Sequence, residues 1–135
     1  MFEGINFWAI IVATLWSMIL GMLWYTKILF GNTWMKLVGL KTEDIDPKDS
    51  YRGMIISVLT AFIAAWTLAW LMKATGTFGY WYGMRLGACI SVGFIATTLF
   101  SNDAYDQRSV KLSLLNSGYR FFFFLGAGAI IGAWQ

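Results

Sequence analysis

The chain has 135 residues, of which 59% are hydrophobic, 19% aromatic and only 13% charged. A soluble domain is about 25% charged, so this chain lacks the polar groups to cover a water-facing surface, and lipid is the solvent its apolar excess requires. A net charge of +3, no histidine and one cysteine exclude His-based triads, His–metal sites and an internal disulfide, and no basic run of the kind that grips nucleic acid is present.

The opening "MFEGINFW" carries an acid and no base. A signal peptide starts basic, so the first apolar run is expected to stay as an anchor. That run, Ile5 to about Thr26, is the first of four that reach spanning length. Crossing ~30 Å of hydrocarbon takes about 20 residues, and the backbone inside lipid must bond to itself as helix. The loop from Lys27 to Arg52 contains "FGNTWMKLVGL", which sets Phe30, Trp34, Leu37 and Val38 on one helical face. This predicts a short interfacial helix, capped by Asn32 or Thr33 and ended by Gly39. "DPKD" then reads as a helix start, with Asp46 as N-cap, Pro47 at the first position and Asp49 at the third. Capping accounts for most of the acidic cluster Glu43, Asp44, Asp46 and Asp49. It lacks EF-hand spacing, so no metal and no cofactor is expected.

The second span covers about Gly53 to Met72, the third about Phe78 to Phe100, the fourth about Leu112 to Trp134. Cys89 lies within the third and reads as a small buried hydrophobe. The fold class is all-α: an integral membrane bundle of four transmembrane helices, one domain over 1–135, with spans about 5–26, 53–72, 78–100 and 112–134. Lys27, Lys36, Lys41, Lys48, Arg52, Arg108 and Lys111 flank one side and Lys73 the other. That asymmetry puts loops 27–52 and 101–111 in the cytoplasm and both termini outside, as in a bacterial inner membrane. Trp8, Trp24, Trp70, Trp81 and Trp134 fall near span ends as interfacial anchors, while Trp16 and Trp66 lie deeper and are expected to pack.

Small residues recur every fourth position: Ala9, Ala13, Ser17 and Gly21; Ser57, Ala61, Ala65 and Ala69; Gly79, Gly83, Gly87 and Ser91; Gly128 and Gly132. Such ridges let helices approach closely. They predict a compact bundle with a face left for homo-oligomerisation, its other partner being membrane lipid.

Arg120 is the residue that asks for an explanation. It lies ten residues into the last span, ~15 Å deep. A charge there costs about 2.5–3.5 kcal/mol on insertion scales, and arginine cannot shed its proton. Asn116 and Ser113 share its face and Tyr119 adjoins it, which makes a polar stripe. Arg85 enters the third span ~10 Å from the outer end, where it can snorkel outward or pair with Glu3. No Asp or Glu lies within any span. Three arrangements remain open for Arg120: a loop folds back to bring Asp103 or Asp106; carbonyls, hydroxyls and Asn116 hold it; or an external anion completes it. "FFFF", Phe121 to Phe124, covers all sides of one turn, so some rings face lipid and some the core.

Two stretches carry a resemblance. "GMLWYTKILFGNTWMKLVGL", Gly21 to Leu40, and "KLSLLNSGYR", Lys111 to Arg120, are similar to motifs of the domain-of-unknown-function 1761 family. This chain has Thr26-Lys27 where that family usually has Ser-Pro, and "SNDAYDQRS" where a shorter turn is expected. The resemblance implies a small four-span membrane protein. It implies no activity and no catalytic residues.

For function, the residues lean to binding or transport of a small anionic or amphiphilic ligand, held by Arg120, Asn116, Tyr119, Ser113 and Arg85 in an oligomeric bundle. A small anion pore is a variant of that reading. The alternative is a structural or regulatory membrane subunit in which the arginines only brace the bundle. Without histidine, a buried carboxylate pair or a reactive cysteine, no enzyme is expected.

Overall fold

The computed structural model describes residues 3–134, the Thr42 side chain apart. Met1, Phe2 and Gln135, at the ends of the expected domain, lie outside the described residues. Helix α1 is Phe7–Trp24, α2 Gly31–Val38, α3 Pro47–Ala74, α4 Tyr80–Ile90, α5 Thr97–Tyr105 and α6 Val110–Ala133. A π-helical segment, Ser91–Ala96, joins α4 to α5 into one rod, Tyr80–Tyr105. With α1, α3 and α6 this rod makes four helices long and apolar enough to cross a membrane. The molecule is an all-α membrane bundle of four spans, as its composition implies.

The helix ends follow local chemistry. Asn6 caps α1, accepting from Trp8 and Ala9 N–H, and its Nδ2 donates to the Trp134 carbonyl at 2.7 Å. One side chain thereby ties the start of α1 to the end of α6. Asp46 caps α3 by accepting from Lys48 N–H at 3.0 Å, with Pro47 at the first position. At 28 residues α3 is ~42 Å long. That exceeds the ~30 Å hydrocarbon layer, so the helix is longer than one crossing needs.

Two boundaries differ from expectation. Neither Asn32 nor Thr33 caps α2; the N-cap is Phe30, with no side-chain bond. The helix starts earlier because Gly31 donates to the Thr26 carbonyl at 2.7 Å and packs where a Cβ would strike Tyr25 and Thr26 backbone. Gly39 does end it, in the left-handed region at φ 81°. Secondly, much of "SNDAYDQRS" is helix rather than loop: α5 runs to Tyr105. It closes with a Schellman pair, Arg108 N–H to Asp103 carbonyl and Gln107 N–H to Ala104 carbonyl. Gln107 takes the left-handed position at φ 59°. The third helix thus extends past Phe100, and Asp103 is carried inward.

The small-residue ridges are the core. Gly83 sits against Gly128 backbone, Gly87 against Phe124 backbone and Gly132 against Gly79 backbone, and Gly79 N–H donates to the Gly132 carbonyl at 3.0 Å. In lipid, helices gain little from hydrophobicity and associate through such close van der Waals contact. On the other side of α6, Phe123, Ala127 and Ile131 are buried with Ala9, Ile10 and Ala13 of α1 and Ala61, Ala65, Leu68 and Met72 of α3. The ridges are therefore largely covered by the chain's own helices, with Ser57 and Gly79 left exposed. One large uncovered surface is the first half of α3, where Tyr51, Met54, Ile55, Ile56 and Leu59 are all exposed.

Cys89 is exposed rather than buried, because Gly83 and Gly87, not Cys89, define the face of α4 that meets α6. Phe123 and Phe124 are buried while Phe122 is exposed, so "FFFF" divides between core and lipid. Trp16 packs across Gly126 and donates to the Phe122 carbonyl at 3.2 Å. Trp24 is more than an anchor: it lies over Gly118 and donates to the Leu115 carbonyl at 3.1 Å.

Candidate functional site

The first half of α6 carries the polar stripe, and α1 supplies its partners. Tyr119 packs on Gly21, which has no side chain to hold it off. Its hydroxyl lies 3.1 Å from the Ser17 carbonyl and 2.9 Å from Ser17 Oγ. A carbonyl can only accept, so Tyr119 donates to it and Ser17 Oγ–H donates back to the phenol. Tyr25, just past α1, donates to Asn116 Oδ1 at 2.8 Å. The two tyrosine rings lie 5.5 Å apart, and Trp34 of α2 meets Tyr25 edge-on at 5.9 Å. The site is thus a small aromatic and amide cluster, walled by α1, α2 and α6.

Arg120 sits on the side of this cluster nearer the middle of α6, half-buried. Its guanidinium lies 5.3 Å from the Tyr119 ring centroid. Among the described residues it makes no hydrogen bond and no ion pair. A cation–π contact is worth about 0.5–2 kcal/mol, rising with desolvation. Against an insertion cost of about 2.5–3.5 kcal/mol, that contact alone leaves the charge under-compensated.

The expected acidic partners do not supply the difference. Asp103 is 7% exposed and accepts from Ser113 Oγ at 2.8 Å. It thus ties α5 to the N-terminal end of α6, two turns short of Arg120. Asp106 ends α5 as its exposed C-cap, and Glu3 is exposed. Among the described residues neither carboxylate pairs with Arg120 or Arg85. Arg85 is exposed on α4 and joins none of these contacts. Arg120, Asn116 and Tyr119 are therefore brought together, while Ser113 belongs to a separate pair with Asp103.

Sequence reasoning missed Tyr25 and Ser17. Ser17 stood in a small-residue ridge, a pattern that speaks only of packing. Tyr25 had a better signal, since it lies in "GMLWYTK", one of the two stretches that carry the family resemblance. The structure lays those stretches against each other through Gly21 and Tyr119, Trp24 and Leu115, and Tyr25 and Asn116.

The fold and this arrangement define a small multi-pass membrane protein in which an arginine adjoins the tyrosine and asparagine cluster that joins α1 to α6. No curated protein and no solved structure matches the chain. A family model does, over residues 8–132, and the chain belongs to that family, described as "Protein of unknown function (DUF1761)".

Proposed function

We propose that this protein binds, and in binding carries or senses, a small anionic or amphiphilic ligand within the membrane at Arg120. The observation that supports this is the state of its guanidinium: half-buried, permanently charged and without a carboxylate or hydrogen-bond partner among the described residues. Asn116 and the Tyr25 and Tyr119 hydroxyls supply polar neighbours, and guanidinium is the side chain best matched to carboxylate and phosphate. The basic bias of loops 27–52 and 101–111 supports a cytoplasmic placement for them, which puts the cluster in the inner half of the bilayer. Assembly into a homo-oligomer belongs to the same reading, with the open half of α3 as the available surface.

A second reading draws on the hydrogen bonds. Tyr25–Asn116 and Tyr119–Ser17 are already closed pairs. A structural or regulatory subunit that uses them only to brace α1 against α6 needs no ligand.

Native mass spectrometry of the protein released from lipid nanodiscs, wild type beside Arg120→Leu, separates the two. The ligand reading expects an anion or anionic lipid retained by the wild type and lost from a folded variant. A folded variant that retains the same mass removes Arg120 from the site. A complex that is empty in the wild type and falls apart in the variant establishes the bracing role instead.

A further inference from the structure

We infer that Ser91 and Ser117 are ligand-contacting hydroxyls of the Arg120 site, donating to an oxyanion whose charge the guanidinium pairs. This rests on the anion-binding reading above and moves the ligand to a definite place, the seam between α6 and the α4–π–α5 rod.

Both serines are more than nine-tenths buried, at 1% and 8% exposure. Among the described residues neither Oγ has a hydrogen-bond partner. The ordinary solution for a hydroxyl on a helix is the carbonyl four residues back. Thr14, Thr67, Thr97 and Thr98 all take it in this chain. Ser91 and Ser117 do not, and a buried hydroxyl left unpaired is destabilising. Two such groups with no structural task are what a site for a polar ligand provides.

Their placement relates them to Arg120. Ser117 precedes it by three residues, so the two are surface neighbours on α6, with Cβ atoms about 5–6 Å apart. Ser91 is located by the seam's register. Gly83 lies against Gly128 and Gly87 against Phe124, so the next step of four sets Ser91 beside the turn that carries Arg120. The backbone changes from α to π at this residue, a widening found often at functional sites. The guanidinium rests on the Tyr119 ring without a hydrogen bond, and the inference requires its long side chain to turn from the ring to the seam when the oxyanion binds. A guanidinium fork with two O–H donors offers only donors. A carboxylate or phosphate oxygen accepts from all three; a cation is repelled.

The shared chemistry is an oxyanion, and its source is a lipid headgroup or a free anion. The test uses the full chain in dodecyl maltoside, which contains no phosphate, titrated with phosphatidylglycerol in one arm and inorganic phosphate in the other. Native mass spectrometry counts the retained probe, and thermal melting is followed without it. Ser→Ala changes no charge, so general attraction of anions to a basic protein is unaffected. Ser91→Ala and Ser117→Ala are each expected to weaken retention about tenfold, with melting unchanged or raised. Retention of phosphatidylglycerol identifies a headgroup site; retention of phosphate identifies a free anion. Equal retention by a folded Ser91→Ala/Ser117→Ala double variant overturns the inference, as does a lowered melting temperature with retention intact. If Arg120→Leu loses the probe while the double variant keeps it, anion binding stands and the serines fall. If the wild type retains neither probe, or Arg120→Leu retains both, the two proposals fall together.

Discussion

The two halves of α6 are built on different physics. From Phe121 to its C-terminal end the helix is fitted mainly by volume, though the Phe122 and Gly132 carbonyls also accept from Trp16 and Gly79: Ala127, Gly128, Ile131 and Gly132 are buried, and the facing glycines of α4 bring backbone against backbone. From its N-terminal end to Arg120 it is fitted mainly by directional bonds, with Ser113 to Asp103, Asn116 to Tyr25 and Tyr119 to Ser17. Lipid explains why both devices appear. Apolar helices gain little by leaving lipid, so contact must come either from very close approach or from polar groups that have no water to turn to. The bonded half holds the charge and Ser117, with Ser91 on the facing rod, and the proposed binding is assigned to it.

Steric substitution in the packed half should break this contrast most strongly. Gly83→Val places side-chain atoms into Gly128 backbone, and overpacking of this kind costs about 1–3 kcal/mol and at times more. A sharp fall in melting temperature is expected, whereas Gly93→Val, with open space around its Cβ position, should melt like the wild type. Equal melting of the two variants would mean that the glycine seam does not hold the bundle.

In the bonded half, Tyr119→Phe removes both contacts to Ser17 and leaves the ring in place. The expected loss is about 1 kcal/mol, since hydrogen bonds between membrane helices average roughly 0.6 and reach about 1.7. A larger fall than Gly83→Val would reverse the assignment of the two halves. A double-mutant cycle on Tyr25→Phe and Asn116→Ala should give a coupling of about 0.6 kcal/mol. Zero coupling would show that these groups do not meet in the membrane. Smallest of all, Arg85→Gln is expected to leave melting and ligand retention unchanged, because Arg85 is exposed and joins no cluster. A loss of retention there would extend the site along α4.

The four spans were legible because spanning length and lipid solubility are properties of consecutive residues. Asp46 and Pro47 were legible because a cap acts within one turn. The end of α5 was not: a helix closed by a glutamine in the left-handed region carries no glycine signal, and Asp103 tolerates the interior only because Ser113 meets it there. Arg120, Asn116 and Tyr119 could be named from their shared stretch of one helix. Ser17 and Tyr25 could not, because their roles arise from contacts across 102 and 91 positions of chain.

By itself, then, the sequence determined the solvent, the number of spans, most helix starts and the presence of a costly charge. Each of these follows from transfer energy or from bonds made within one or two turns. Only the tertiary structure decided which ridges close on each other, that Asp103 serves Ser113 rather than Arg120, and that the buried hydroxyls of Ser91 and Ser117 go unpaired. Those outcomes depend on helix register, and in an apolar solvent register is set by small residues and hydrogen bonds between helices remote in the chain.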